Sequence, residues 1–133
     1  MDLSNLHQMI SPSFFKKSDI GNVDKILDYR DEDIFDSEWI DMYNSINQER
    51  NQFQFNKYKS ELELIRKDVF LVSDNFFGHH EISSYISDDF DLIAKAIIVS
   101  SKDKRITCLL DYYINYGVPY KVMKEKEILI SDY

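Results

Sequence analysis

The chain has 133 residues, enough for one domain with an apolar core of its own. Hydrophobic residues make up 44% of the chain and aromatic residues 14%, which excludes the composition of a disordered protein. Its 24 acidic and 16 basic side chains give a formal net charge of −8, which disfavours binding to nucleic acid or to an anionic membrane. We therefore expect neither as a partner.

The single cysteine and the short apolar runs indicate the cellular compartment of the protein. Cys108 has no partner for an intrachain disulfide, which fits a reducing compartment. Residues 1–17 have neither the basic start nor the apolar run of a secretory signal, and no apolar run approaches the roughly 20 residues that span a bilayer. We predict a soluble, cytoplasmic protein.

Glycine and proline are scarce, which favours helices. The glycines occur only at 21, 78 and 117 and the prolines only at 12 and 119, whereas strand-and-turn proteins need these residues often. The chain is therefore predicted to be mainly α: a single compact domain over residues 1–133, with five or six helices. Residues 1–20, around Pro12, are expected to be a loosely structured lead-in.

Two helices are predicted in the first third of the chain. The first follows Gly21 and presents one face, formed by Val23, Ile26, Leu27 and Arg30. The second is capped by Asp36 or Ser37 and places three large side chains on one side, namely Trp39, Tyr43 and Ile46.

A longer apolar seam runs through residues 55–72. Its members recur with spacings of three and four: Phe55, Tyr58, Leu62, Ile65, Val69 and Val72. This spacing predicts a helix that packs lengthwise on another helix, and its length favours an internal hairpin over a coiled coil. The last four residues, Val69–Val72, are also compatible with a short strand.

The helical spacing of apolar residues is predicted to break over residues 73–78 and to resume for one or two turns over 82–86. A further helix is expected to begin at Asp88 or Asp89 and another at Asp103, the latter ending at Gly117 with Pro119 behind it. The tail alternates around residues 124–126, which predicts a small C-terminal β-hairpin or edge strand from Tyr120, Val122, Ile128 and Ile130.

Motifs for catalysis or metal binding are missing from the sequence. His79 and His80 are adjacent, whereas a helical metal pair needs histidines four residues apart. Three glycines cannot build a phosphate-cradling loop, and the run from Asp31 fails the calcium-loop pattern at three positions. We expect no enzyme activity, no metal and no cofactor.

Negative charge is concentrated in what we call the acidic segment, residues 24–41. It contains eight carboxylates: Asp24, Asp28, Asp31, Glu32, Asp33, Asp36, Glu38 and Asp41. Only Lys25 and Arg30 oppose them, which gives the segment a net charge of −6. Like charges repel within a compact chain, so the crowding suggests a surface that steers a positive partner.

Aromatic residues within the acidic segment add candidate anchors, since interfaces favour Trp and Tyr within a polar rim. The candidate partner-binding residues are Asp28, Tyr29, Asp31, Glu32, Asp33, Asp36, Glu38 and Trp39. A second candidate group is Asp88, Asp89 and Asp91, for which a helix-capping role is the competing interpretation.

A small, acidic, cysteine-poor helical chain with a carboxylate-rich surface resembles bacterial toxin-immunity proteins, and the contact-dependent growth inhibition type is the nearest kind. The resemblance implies a cytoplasmic, non-catalytic inhibitor that binds a cognate protein toxin. Such toxins are often nucleases with basic active sites, which a carboxylate surface would occlude. The alternative is a helical adaptor or regulatory module that assembles through the 55–72 seam. The oligomeric state is left open.

Overall fold

Two long helices, α5 and α6, form the centre of the molecule. The computed structural model describes residues 1–16, 23–120 and 129–133. Within these residues the chain forms seven α-helices: α1 (Leu3–Gln8), α2 (Val23–Arg30), α3 (Asp33–Ile46), α4 (Gln52–Lys57), α5 (Lys59–Phe77), α6 (His80–Ile98) and α7 (Lys104–Asn115). Short 3-10 turns lie at Pro12–Phe15, Glu49–Asn51 and Ile130–Asp132.

Helices α5 and α6 pack on each other as the internal hairpin that the seam predicted. Leu62, Ile65 and Val69 of the seam are buried, and Val69–Val72 is helical. Gly78 ends α5 in a left-handed conformation with φ of +65°, and its N–H donates to the Asp74 carbonyl at 2.7 Å.

Helix α6 contacts α1, α3, α4 and α7 and therefore carries most of the core. Its fully buried side chains include Ile82, Ile86, Phe90 and Ile93. Helix α7 begins and ends as predicted. The Asp103 carboxylate accepts the Arg105 N–H at 3.1 Å, and Gly117, with φ of +103°, follows the last turn.

Two predicted helix boundaries are wrong because buried serines do not interrupt these helices. Helix α5 continues to Phe77 through Ser73, whose hydroxyl donates to the Phe70 carbonyl at 3.1 Å. Helix α6 begins at His80 rather than at Asp88 or Asp89, and Ser83 donates to the His79 carbonyl at 2.9 Å. Serines that bond to carbonyls in this way are compatible with a continuous helix.

Helix α3 also begins earlier than predicted, at Asp33 instead of Asp36 or Ser37. Both Asp33 and Asp36 lie in its first turn, where carboxylates favour the positive end of the helix dipole. Its buried face is formed by Phe35, Met42 and Ile46, so Trp39 and Tyr43 are more exposed than predicted.

The N-terminal region has more regular structure than expected. Residues 1–16 contain α1 and a 3-10 turn, and Leu6 and Phe15 are fully buried. Both α1 and α4 span only six residues, too short to show a helical period in the sequence. They account for the seven helices of the described residues, in place of five or six.

The predicted C-terminal β-hairpin or edge strand is wrong. Its centre, residues 121–128, lies outside the described residues, and Ile130 forms part of a 3-10 turn. No strand occurs in the ranges 1–16, 23–120 and 129–133. Ile130 is fully buried, and its turn packs on α6 and α7, so an apolar contact rather than strand pairing fixes it.

A buried ion pair attaches α2 and α3 to this core. The guanidinium of Arg30 in α2 donates to both oxygens of Asp89 in α6, at 2.6 and 2.7 Å. The indole N–H of Trp39 in α3 donates to the same carboxylate at 2.8 Å, as does the hydroxyl of Tyr113 in α7. Asp89 is fully buried, so these donors replace its water.

The ionisation of this cluster follows from its contacts. Burial alone would lower the pKa of Arg30, but the charge of Asp89 and its hydrogen bonds outweigh burial and raise it. Burial, followed by the Asp89 charge, raises the pKa of Tyr113 well above its ordinary value. Arg30 is therefore charged and Tyr113 neutral at physiological pH.

We predict that Asp89→Asn lowers the free energy of unfolding by about 3–5 kcal/mol, because it leaves the Arg30 charge buried without its counter-ion. Urea denaturation followed by circular dichroism measures this change. The matched control is Asp88→Asn, which removes a half-exposed carboxylate 2.8 Å from Arg66 and should cost less than about 1 kcal/mol. Equal losses for the two variants would contradict a structural role specific to Asp89.

Candidate functional site

The acidic segment covers α2, the start of α3 and the two residues between them. Helix α2 buries Val23, Ile26 and Leu27, and α3 buries the side of Phe35, so the carboxylates of both helices face outward. Glu38 is half-buried and the other seven carboxylates of the segment are exposed. The negative charge is therefore displayed at the surface.

Few basic groups neutralise these carboxylates. Arg105 in α7 lies 3.7 Å from Glu38 and 2.7 Å from Asp41. Asp31 accepts a hydrogen bond from the Tyr85 hydroxyl. The remaining five carboxylates form no ion pair or hydrogen bond with any residue that the structure describes: Asp24, Asp28, Glu32, Asp33 and Asp36.

A pocket of about 200 Å³ lies where α2 and α3 meet α6. Its lining consists of Arg30, Phe35, Asp36, Trp39, Ile40, Tyr85 and Asp88. It brings a carboxylate of the acidic segment, Asp36, to the same cavity as Asp88 from the second predicted group. No pattern in the sequence indicates that the two groups meet.

The two predicted anchors occupy different environments. Trp39 is half-buried, stacks on Tyr43 with ring centroids 5.6 Å apart, and forms part of the pocket wall. Tyr29 is 41% exposed and packs against Tyr120 at 5.5 Å. With Asp28, Tyr29 borders a separate shallow depression on α2.

The three aspartates of the second predicted group lie in different environments. Asp88, Asp89 and Asp91 lie in the middle of α6, so the helix-capping interpretation is wrong. Asp88 borders the pocket and pairs with Arg66, while Asp91 lies 3.0 Å from Lys95 and 3.5 Å from Arg66. Asp89 is fully buried and cannot reach a partner in this conformation.

Two apolar side chains of α3 were missed as surface candidates. Ile34 and Ile40 are 66% and 46% exposed, and Ile40 also lines the pocket. A signal existed, because both fall outside the helical face that Phe35 and Met42 define. Tyr85 of α6 was missed as well, and only the tertiary fold places it beside Asp31 and the pocket.

The two adjacent histidines make local contacts at the start of α6. His79 caps α6, its Nδ1 accepting the Ile82 N–H at 3.5 Å, and His80 Nδ1 lies 2.8 Å from Asp74. Among the described residues there is no group of three or more His, Cys, Asp or Glu side chains that could hold a metal ion.

Comparison with known families bears on what this surface does. The sequence model of the family described as “Immunity protein PIM1” matches residues 3–120, which include all seven helices. The chain belongs to this immunity-protein family. No curated protein matches the chain.

Family membership confirms the general resemblance to immunity proteins and supports an inhibitory role. The helices in the described ranges also lack the combination of length and apolar character that crossing a membrane requires.

The seam behind the alternative adaptor hypothesis lies inside this immunity protein. Phe55, Leu62, Ile65 and Val69 are buried, and Tyr58 and Val72 are half-buried. Because α6 covers the seam, it offers no continuous apolar stripe for assembly.

The Tyr85–Asp31 contact ties α6 to the acidic segment. The hydrogen bond to Asp31, followed by burial, raises the pKa of Tyr85 to about 12. A raised tyrosine pKa means that the folded state holds the phenol proton more tightly than the unfolded state. Its contribution to stability is complete below about pH 10 and is lost as the pH rises through about 12.

We predict that Asp31→Asn lowers the pKa of Tyr85 towards the ordinary tyrosine value of about 10. Ultraviolet difference spectra of the variant against the wild type should show one additional phenolate between about pH 10 and 12. In a Tyr85→Phe background the same substitution should give no difference. A signal that persists in that background would assign the shift to another tyrosine.

Proposed function

We propose that this immunity protein neutralises a cognate protein toxin by binding it through the acidic segment. Inhibition is stoichiometric: the bound chain covers the toxin's active site, with no turnover and no cofactor. The contact residues are Asp28, Tyr29, Asp31, Glu32, Asp33, Asp36, Glu38 and Trp39, flanked by Asp88 and Asp91. Asp89 supports this surface from within and does not touch the toxin.

One observation carries the proposal. Five exposed carboxylates of the acidic segment have no ion-pair partner within the described chain, although the chain has 16 basic residues. Uncompensated like charges destabilise a folded chain, and a cationic partner relieves that repulsion on binding. Family membership supplies the kind of partner, which is a toxin.

The toxin in this proposal is a basic nuclease. Nuclease active sites hold phosphates and therefore present positive charge, which complements the acidic segment. Opposite charges accelerate association, an advantage for an inhibitor that must act before the toxin cuts nucleic acid. The proposed place of action is the bacterial cytoplasm, and contact-dependent delivery is the proposed origin of the toxin.

The test uses the product of the reading frame adjacent to the gene. We expect Asp28→Lys, Glu32→Lys and Asp33→Lys together to slow association by about 10- to 100-fold at low salt and to flatten its salt dependence, because steering charges act mainly on the association rate. Stopped-flow mixing at several salt concentrations measures both quantities.

The control for net charge reverses three exposed carboxylates outside the acidic segment, Glu49, Glu61 and Glu63. It should leave association within about threefold of the wild type, since distant exposed charges are screened. Circular dichroism establishes that both triple variants are folded. If both slow association equally, the acidic segment is not the contact surface.

A further inference from the structure

The pocket between α3 and α6 has walls suited to a flat cation. Its lining combines the rings of Phe35, Trp39 and Tyr85 with two carboxylates, Asp36 and Asp88. Aromatic faces and carboxylates both attract a guanidinium group, the former through the ring quadrupole. Arg30 already lies against two of these rings, with its guanidinium carbon 4.7 Å from the Phe35 ring centroid and 5.1 Å from that of Tyr85. Trp39 has no such contact with a cation of the described residues and is the ring left for a guanidinium of a partner.

The volume of the pocket limits its occupant. At about 200 Å³ it is smaller than the roughly 300–1,000 Å³ of small-molecule sites. It has the scale of an anchor pocket that receives one side chain of a protein partner. Exposed Ile40 at its edge adds an apolar contact for the stem of such a side chain.

The charges around the pocket favour a cation. The charge of Arg30 is balanced by Asp89, and Asp88 pairs with Arg66 at 2.8 Å. Asp36 has no basic partner in the described chain. A guanidinium group that enters the pocket therefore meets a carboxylate without a counter-ion of its own.

We infer that the pocket receives one arginine side chain of the toxin and is the anchor of the complex. The guanidinium bonds to Asp36 and Asp88 against the aromatic wall, and its stem lies on Ile40. This inference rests on the proposed function and adds a division of labour. The exposed carboxylates of the acidic segment outside the pocket set the association rate, and the pocket sets the dissociation rate.

The pocket can be tested without the toxin. Trp39 is the only tryptophan of the chain and lines the pocket, so its fluorescence reports occupancy. We expect N-acetyl-arginine amide to change this fluorescence saturably at constant ionic strength. The neutral isostere N-acetyl-citrulline amide should not, because it lacks the charge that the carboxylates bind.

A pair of double variants with equal net charge separates the pocket from general electrostatics. Asp36→Asn with Asp88→Asn should weaken the arginine amide about tenfold. The control is Glu49→Gln with Glu61→Gln, which removes two exposed carboxylates that lie outside both the acidic segment and the pocket lining. It should bind like the wild type.

Each outcome decides between the two proposals. A non-saturable response, or equal weakening in both double variants, overturns the arginine pocket. With the toxin, the pocket variant should speed dissociation about tenfold or more while the control does not. Suppose that the variant with Asp28→Lys, Glu32→Lys and Asp33→Lys loses steering while the pocket variant dissociates at the wild-type rate. That result would retain the proposed function and reject the pocket. A toxin that does not bind the wild type would reject the proposed function, whereas the amide titration would still judge the pocket.

Discussion

The bond between Arg30 and Asp89 is the interaction on which the display of the acidic segment depends. Neither charge is stable alone in the core, and each is accommodated because the other meets it with two hydrogen bonds. Trp39 and Tyr113 complete the coordination of the carboxylate, so one buried group joins α2, α3, α6 and α7. Two helices crowded with negative charge are held to the core by their buried apolar faces and by one shared buried acid.

The helical class and several helix ends could be predicted from the sequence because they follow from local chemistry. Asp103 and Gly117 act through the backbone within a few residues, and the 55–72 seam shows the period of a buried helix face. The wrong predictions of helix number and helix boundaries have the same origin. Local patterns show neither a six-residue helix such as α1 nor a buried serine such as Ser73 that bonds within its own helix.

The candidate site was predictable only in part. The concentration of carboxylates is a property of the sequence, but their neutralisation is not, since Arg30 and Asp89 are 59 residues apart and Arg105 reaches Glu38 from another helix. In a charge count from the sequence, Arg30 offsets one carboxylate of the acidic segment. In the structure that charge is balanced inside the protein, which leaves Lys25 as the one exposed basic residue among the eight carboxylates.

The separation between the buried Asp89 cluster and the outward carboxylates has an evolutionary consequence. Apart from Trp39, the residues that hold Asp89 and the residues proposed to meet the toxin belong to different sets, although they alternate along the same two helices. In the proposed complex, exchange of an exposed acid alters partner preference at little cost in folding free energy, whereas removal of one member of the buried pair costs about 3–5 kcal/mol. The exposed acids can therefore change as the toxin diversifies, while the buried residues and the fold are inherited unchanged.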